Sequence, residues 1–424
     1  MISTATDLFL SGFVLLSTSN ISNAIINKAS RTKGFIIFSP YYIINNLKMS
    51  LKKLLILGSF GCATICNAQD KISIAGQWLV SLDADSIHYN KSQVPAEFIQ
   101  TIQLPGTTDE AHLGKRTTGS DYGILTRAYK HIGPAWYQRK INIPQTWNGK
   151  RVSLFLERVL WESQVFIDGK LVSKLSPLYV PHIHDLGIVK PGSHTITICV
   201  NNDLIHNIGD KGHGYTEYTQ SVWNGIVGKL ELHAEESISI SSVKTYPDLK
   251  KKQLRLEAFL NSASATNVIL STSLKDLQTG KHIKTVSQKF STNADNPKID
   301  VLISGLEKIK PWDEFDPNLY EVTLTLKNGS NITTWKDHIG FRNVSTTAHK
   351  IVVNDNTTFI RGNLDCVHFP ITGYPSCDVK DWEAIFRKYK DYGLNTVRFH
   401  SWTPPEAAFE AADKLGIYIQ TEII

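Results

Sequence analysis

The hydrophobic pattern of this chain changes near residue 346. Before it, from Lys71 onward, short β runs follow one another with no convincing helical period. After it, apolar runs alternate with helix-like segments. Runs such as 152–157 (VSLFLE), 163–172 (SQVFIDGKLV) and 194–200 (HTITICV) have strand composition, because β-branched and aromatic side chains fit a pleated, half-buried surface. Asp168-Gly169 supplies a hairpin turn inside the second of them. Pro105-Gly106, Gly133-Pro134 and Pro191-Gly192 punctuate the gaps. Many short strands at this spacing predict a sandwich or jelly roll over residues 70–236.

Residues 237–345 repeat the texture, with runs QLRLEAFL, NVILSTSL, YEVTLTLKNG and TTWKDHIGF and a second hairpin signal at Asn328-Gly329. About a hundred residues with roughly seven candidate strands and no cysteine pair predict a second, smaller immunoglobulin-like sandwich. The polar stretch 306–320 reads as a loop ahead of its later strands. Beyond it, 357–363 (TTFIRGN) reads as a strand, and 379–393 as a helix with Trp382, Ile385, Phe386 and Tyr389 at helical spacing and Gly393 as its stop. NTVRFH is a strand, Pro404-Pro405 opens a helix that ends on Gly416, and IYIQTEII is a third strand. This strand–helix–strand–helix–strand order over 346–424 is the opening of a parallel α/β unit, whose continuous apolar runs predict a sheet buried on both faces.

Composition narrows the function classes. With 424 residues, 42% hydrophobic and 20% charged, the chain is globular and long enough for two to four domains of roughly 100–200 residues each. The net charge of +6 does not mark a nucleic-acid face. Lys28, Arg31, Lys33, Lys48, Lys52 and Lys53 against Asp7 place nearly all of the surplus before residue 69. That surplus belongs to a targeting segment. From Met49, Lys52 and Lys53 precede an apolar stretch, Leu54 to Ile65, and Cys66-Asn67-Ala68 ends on a small residue, the pattern of a signal peptide over 49–68. The apolar stretch is too short for a stable membrane span, which needs about 20 residues. A lipoprotein cleavage at Gly61-Cys62 ranks second. Signal peptides start chains, so residues 1–48 read as an upstream extension, and the mature protein as exported, periplasmic or extracellular.

Cys62 and Cys66 leave with that segment, and Cys199, Cys366 and Cys377 remain without metal spacing. Cys199 reads as core; Cys366 and Cys377 are either paired or free thiols. Polar residues gather where the parallel strands end: Arg361, Asn363, Asp365 and His368 after the first, Arg398 and His400 at the second, Gln420 and Glu422 at the third. In a (β/α)8 barrel that edge carries the active site. The bland alternative is a salt bridge from Arg398 to Asp413 or Glu422, with His368 an ordinary loop histidine.

Residues 359–370 (FIRGNLDCVHFP) and 393–422 (GLNTVRFHSWTPPEAAFEAADKLGIYIQTE) resemble the start of the catalytic barrel of glycoside hydrolase family 2, which includes β-galactosidases, β-glucuronidases and β-mannosidases. Upstream, LPGTTDEAHLG, the stretch GPAWYQRKINIPQTWNGKRVSLFLERVLWESQVFIDGKLV and WNGIVGKLEL resemble its jelly-roll, sugar-binding domain. PNLYEVTLTL and HIGFRNV resemble its immunoglobulin-like domain. The resemblance runs over about residues 70–424 in the family's order of parts. It implies a TIM barrel entered but not completed, and hydrolysis of a terminal β-linked sugar through a glycosyl-enzyme intermediate. It also implies substrate-binding roles for Arg398, His400, Asn363, Asp365, Trp402 and Glu422. The acid/base and nucleophile of a retaining glycosidase are expected on later strands, past Ile424, with Glu422 neither of them; the chain alone is then inactive.

Two departures stand out. Many members carry Ser-His where this chain has His400-Ser401, and the G-x-N-x-H pattern becomes Gly362-Asn363-Leu364-Asp365-Cys366. Both point away from a galactosidase-type subsite. The implied partner is an oligosaccharide or polysaccharide, with no cofactor, no metal and no nucleic acid expected. A secreted carbohydrate-binding protein without catalysis, or a cell-surface adhesion protein with Ig-like parts, are the alternatives. The polar segment 346–356 is the expected protease-sensitive linker.

Overall fold

The structure, a computed structural model, describes residues 70–217, 222–262, 266–292 and 297–423. The expected targeting segment and upstream extension lie outside the described residues. Among these residues, no helix is long and apolar enough to cross a membrane.

The N-terminal part is built on two large antiparallel sheets, with a small two-stranded one, Lys115–Arg116 with Tyr129–Lys130, beside them. One runs in the order Lys71–Ser73, Gly225–Glu235, Arg151–Arg158, His182–Gly187, with Gly106–Thr107 pairing onto Gly225–Glu235. The other runs Lys170–Leu175, Glu162–Ile167, Gly192–Asn201, Pro134–Ile143, Gly76–Leu82, Gln100–Leu104. Alternate residues of both sheets share one core: Val152, Leu154 and Leu156 from the first, Ile196, Ile198 and Val200 from the second. The period of two in the sequence is therefore the inward face of each strand. The hairpin at Asp168-Gly169 forms as expected, with φ of 49° and 81°. Cys199 is core, packed with Trp136 and Phe166 on the outer face of the second sheet. A helical turn over Ile87–Asn90 covers that face; the Asp83 carboxylate accepts the backbone N–H groups of Ile87, His88 and Tyr89.

Next come a three-stranded sheet (Ile238–Asp248, Gln253–Ser262, Lys298–Ile303) and a four-stranded one (His282–Thr292, Thr266–Asp276, Leu319–Asn328, Asn331–Gly340). Their shared core, from Leu254 and Leu256 to Leu324 and Leu326, again alternates along each strand. The second hairpin turns on Gly329, φ 58°, one residue later than the dipeptide suggests, because Asn328 still pairs with Asn331.

The sequence reading needs three corrections beyond this point. Segment 346–356 is no free linker: Val344–Thr346, Ile351–Val353 and Asn356–Thr358 form a small antiparallel meander. The stretch 357–363 is not one strand, since Asn356–Thr358 pairs within that meander while the first parallel strand, Gly362–Asp365, pairs with Thr396–Phe399. The parallel sheet, completed by Thr396–Phe399 and Tyr418–Thr421, is buried on one face only. Helices Val379–Asp391 and Glu406–Leu415 pack Trp382, Phe386, Ala408 and Ala411 against Val397 and Phe399. Leu364, Arg398 and Gln420 share a register and stand exposed on the other face.

Both helices start and stop as read. Asp378 caps the first, accepting from Lys380 N, and Gly393 follows it at φ 73°. Gly416 ends the second at φ 70°, and there a Cβ would also meet Glu314 backbone at 2.8 Å, so glycine is required twice over. This loop of the second pair of sheets holds the base of the parallel sheet. Trp312 Nε1 donates to Asp413 O at 2.7 Å, Asn395 Nδ2 to Glu314 Oε1 at 3.0 Å, and Arg361 Nη2 to Glu314 Oε2 at 2.6 Å.

Candidate functional site

Polar groups collect at the C-terminal end of the parallel sheet, where each chain leaves a strand and turns back. Arg398 projects from the second strand on the open face and forms an ion pair with Glu422, just past the third. Glu422 also accepts the Ser401 backbone N–H at 2.8 Å. That bond, then the Arg398 guanidinium, holds the Glu422 carboxyl below its usual range. Glu422 is thus a constitutive anion that fixes Arg398 and the 400–402 turn. The salt bridge that the sequence left as the bland alternative for Arg398 is present.

His400 follows the second strand. Its backbone N–H donates to Asp365 O at 2.9 Å, and its Nδ1 lies 3.0 Å from His213 Nε2 and 3.6 Å from Cys366 Sγ. Asp365 Oδ1 accepts Val367 N at 2.8 Å, and burial raises its carboxyl pKa. Asn363 donates to Tyr389 Oη at 2.8 Å, which ties its side chain to the first helix. Trp402 is 1% exposed, its ring 4.9 Å from Phe399 and its Nε1 donating to Asp365 O at 3.1 Å. It is a packing residue supporting the turn, not a surface against which a sugar ring can stack. Arg361 lies at the opposite, N-terminal end of the sheet, on Glu314, and His368 is exposed. Cys366 and Cys377 are free thiols.

Two positions near these residues are strained. Val367 has φ 63° and Ser401 φ 56°, and a β-branched residue in the left-handed region is held there only by its surroundings. The surroundings come from the N-terminal sandwich. Its loop after Asn201 packs on the sheet edge: a Cβ on Gly214 would sit 3.3 Å from Val367 Cγ2, and Tyr215 Oη accepts Thr403 N at 3.3 Å. Arg158 donates to Thr403 O, and Tyr374 Oη bonds Glu110 at 3.1 Å.

Beside these contacts lies a charged group that the sequence did not single out. Arg127, its side chain 4% exposed, binds Asp109 at 3.3 Å and Glu217 at 2.7 Å. Burial pushes the Asp109 carboxyl up to about 6 against the pull of Arg127, and Asp109 Oδ1 has no hydrogen-bond partner among the described residues. Asp109 lies in the stretch LPGTTDEAHLG, but His213, Arg127 and Glu217 lie in loops with no periodic signal, and nothing local in the sequence joined the four.

The model of Glycosyl hydrolases family 2 matches residues 238–342. A protein of Formosa agariphila named as a β-glucuronidase is 25% identical over 391 residues, 89% of this chain and 44% of that protein. A β-galactosidase of Thermoanaerobacterium thermosulfurigenes is 24% identical over 299 residues, 68% of this chain and 41% of the enzyme. Among solved structures, a Bacteroides uniformis β-glucuronidase covers 83% of this chain and 42% of its own, at 19% identity and a TM-score of 0.65. The chain thus spans less than half the length of these relatives.

Proposed function

This chain belongs to glycosyl hydrolases family 2, and from that premise we propose that it is the N-terminal part of a retaining β-glycosidase. In this reading, residues 70–236 are a jelly-roll sugar-binding domain, 237–345 an immunoglobulin-like sandwich, and 346–424 the opening of a TIM-barrel catalytic domain. The observation that carries it is the placement of Arg398, His400 and Glu422 at the C-terminal ends of parallel strands, the edge where barrel enzymes build their sites, with sandwich loops closing over it. A retaining site needs two carboxylates about 5–5.5 Å apart, one protonating the leaving oxygen and one attacking the anomeric carbon. Glu422 fills neither role, because its charge is committed to Arg398 and Ser401. This reading puts both carboxylates on strands outside this sequence, consistent with a match that covers only 44% and 41% of these two relatives.

The residues present would position the sugar. Arg398 and Glu422 offer fixed donors and acceptors to ring hydroxyls. Carboxylate recognition by Arg398 has to compete with Glu422, so the pair by itself selects neutral polar groups over a uronate. The substrate class is a terminal β-linked sugar, and export to the periplasm or beyond fits a polysaccharide source. The test is hydrolysis of aryl β-glucuronides, β-galactosides and β-mannosides. The 424-residue chain is expected to turn over none of them. The chain continued through its downstream coding sequence is expected to hydrolyse one, and to lose that activity when either of two strand-end glutamates becomes glutamine. Turnover by the 424-residue chain, abolished in Glu422→Gln, overturns this reading.

A further inference from the structure

Three side chains far apart in sequence meet at the sheet edge, and of these the glycosidase reading uses only His400. His213 comes from the sandwich loop, Cys366 directly follows the first parallel strand, and His400 directly follows the second. Their donor atoms all lie within 4.8 Å of one another. We propose that His213 Nε2, His400 Nδ1 and Cys366 Sγ form a binding site for a zinc-class transition-metal cation.

The donor set is the first argument. Two imidazoles and a thiol select borderline-soft cations such as Zn²⁺ over Ca²⁺ or Mg²⁺, which prefer oxygen ligands. Geometry is the second. Tetrahedral zinc with bonds of about 2.0–2.1 Å to nitrogen and 2.3 Å to sulfur sets N···N edges near 3.3 Å and N···S edges near 3.5 Å. The His213–His400 edge is 3.0 Å and the Cys366–His400 edge 3.6 Å. The third edge, His213 to Cys366, is no longer than 4.8 Å.

The surroundings are the third argument. As neutral rings the two histidines can share only one hydrogen between the facing nitrogens, and His213 Nδ1 is buried with no hydrogen-bond partner among the described residues. A bound cation would instead take a lone pair from each of the three donors. Asp365 and Glu422 act electrostatically on the Cys366 sulfur, adding negative potential that favours a cation. Cys366 and His400 are each followed by a residue held at positive φ, Val367 and Ser401, so local backbone strain sits at both sheet-borne ligands. Binding would release the thiol proton to solvent as the S–metal bond forms. It would clamp the sandwich loop to the parallel sheet and leave a fourth coordination position open. The inference is independent of the glycosidase reading, since it needs no sugar and no catalytic carboxylate.

The test uses the untagged 424-residue chain, stripped with a chelator and titrated with Co²⁺ as a spectroscopic stand-in for Zn²⁺. One cobalt per chain is expected, with a thiolate-to-cobalt charge-transfer band in the near ultraviolet that Zn²⁺ displaces. Cys366→Ser should abolish the band, and Cys199→Ala and Cys377→Ala should keep it. His213→Gln changes a loop residue, so its fold is readily checked by circular dichroism; it should weaken Co²⁺ binding by roughly 100-fold. Absence of the band in the parent chain overturns the proposal. So does a band that survives Cys366→Ser, or unchanged affinity in a folded His213→Gln.

Discussion

Lowering the pH from 7.5 to 5 should selectively weaken the N-terminal sandwich, through two histidines sealed inside it. His182 and His184 are both 0% exposed and share Ser163 Oγ, at 2.5 Å from His182 Nδ1 and 2.7 Å from His184 Nε2. Only one proton pattern satisfies the chain. The Pro177 carbonyl, 2.8 Å from His182 Nε2, can only accept, so that nitrogen carries the hydrogen and Nδ1 accepts from Ser163. His184 Nε2–H then donates to Ser163, and His184 Nδ1 accepts from Ser173 at 2.9 Å. An added proton would force Ser163 or Ser173 to turn from donor to acceptor and would place a charge in a buried site. Burial accordingly lowers His182 to about 4 and His184 to about 3, with His182 further depressing His184; Glu162, itself paired with Lys174, opposes the shift at His182.

Both folded pKa values lie below the unfolded value of about 6.5. The unfolded chain therefore takes up protons that the folded chain refuses, and the stabilisation present above about pH 6.5 is lost as pH falls. At pH 5 each histidine contributes a loss of about 2 kcal/mol, together about 4 kcal/mol, a large part of the 5–15 kcal/mol typical of a domain. Asp109 acts in the opposite sense: raised to about 6 in the folded state, it regains part of that loss between about pH 6 and 4. Comparison with His184→Gln removes this background. In urea unfolding followed by tryptophan fluorescence, the stability gap between parent and variant should shrink by about 1.4 kcal/mol per pH unit below pH 6.5. A gap that stays constant from pH 7.5 to 5 would refute the buried-neutral assignment.

Trp402→Ala should cost about 3–5 kcal/mol through the cavity beside Phe399 and Trp382, and Trp402→Phe about 1 kcal/mol for the lost indole hydrogen bond; if Trp402→Ala melts like the parent but loses sugar binding in calorimetry, the packing role is wrong. Glu314→Ala strands Arg361 and Asn395 and should cost about 2 kcal/mol, less than a fully buried pair because Arg361 is partly exposed. Limited proteolysis with mass spectrometry should then show new cleavage between residues 346 and 356, which the parent resists. Arg398→Ala should change stability by less than about 1 kcal/mol, since the pair is largely solvent-exposed, while abolishing any monosaccharide binding that titration calorimetry detects; binding that survives moves the sugar site into the sandwich loops.

What was legible in the sequence is what neighbours in the chain decide. Alternation placed Leu154, Ile198 and Leu256 in cores, because a strand side chain's face depends only on its parity. Asp168-Gly169 turned where read and Gly416 stopped its helix, because positive φ is a property of one residue and its immediate turn. The signal failed where a side chain's fate depends on what arrives from elsewhere. Arg361, two residues from Asn363, was read into the same edge, but Glu314, 47 residues away, draws it to the sheet's other end. Trp402 looked like a site aromatic until the first helix supplied Trp382 to bury it. The parallel sheet was expected to be covered on both faces, but apolar runs report one covered face as readily as two. His213 carried no signal at all, because its role exists only once a sandwich loop comes to rest beside His400, 187 residues later. Local dihedral preference and parity set the elements of this protein; only packing between the sandwiches and the parallel sheet decided which polar residues meet at its end.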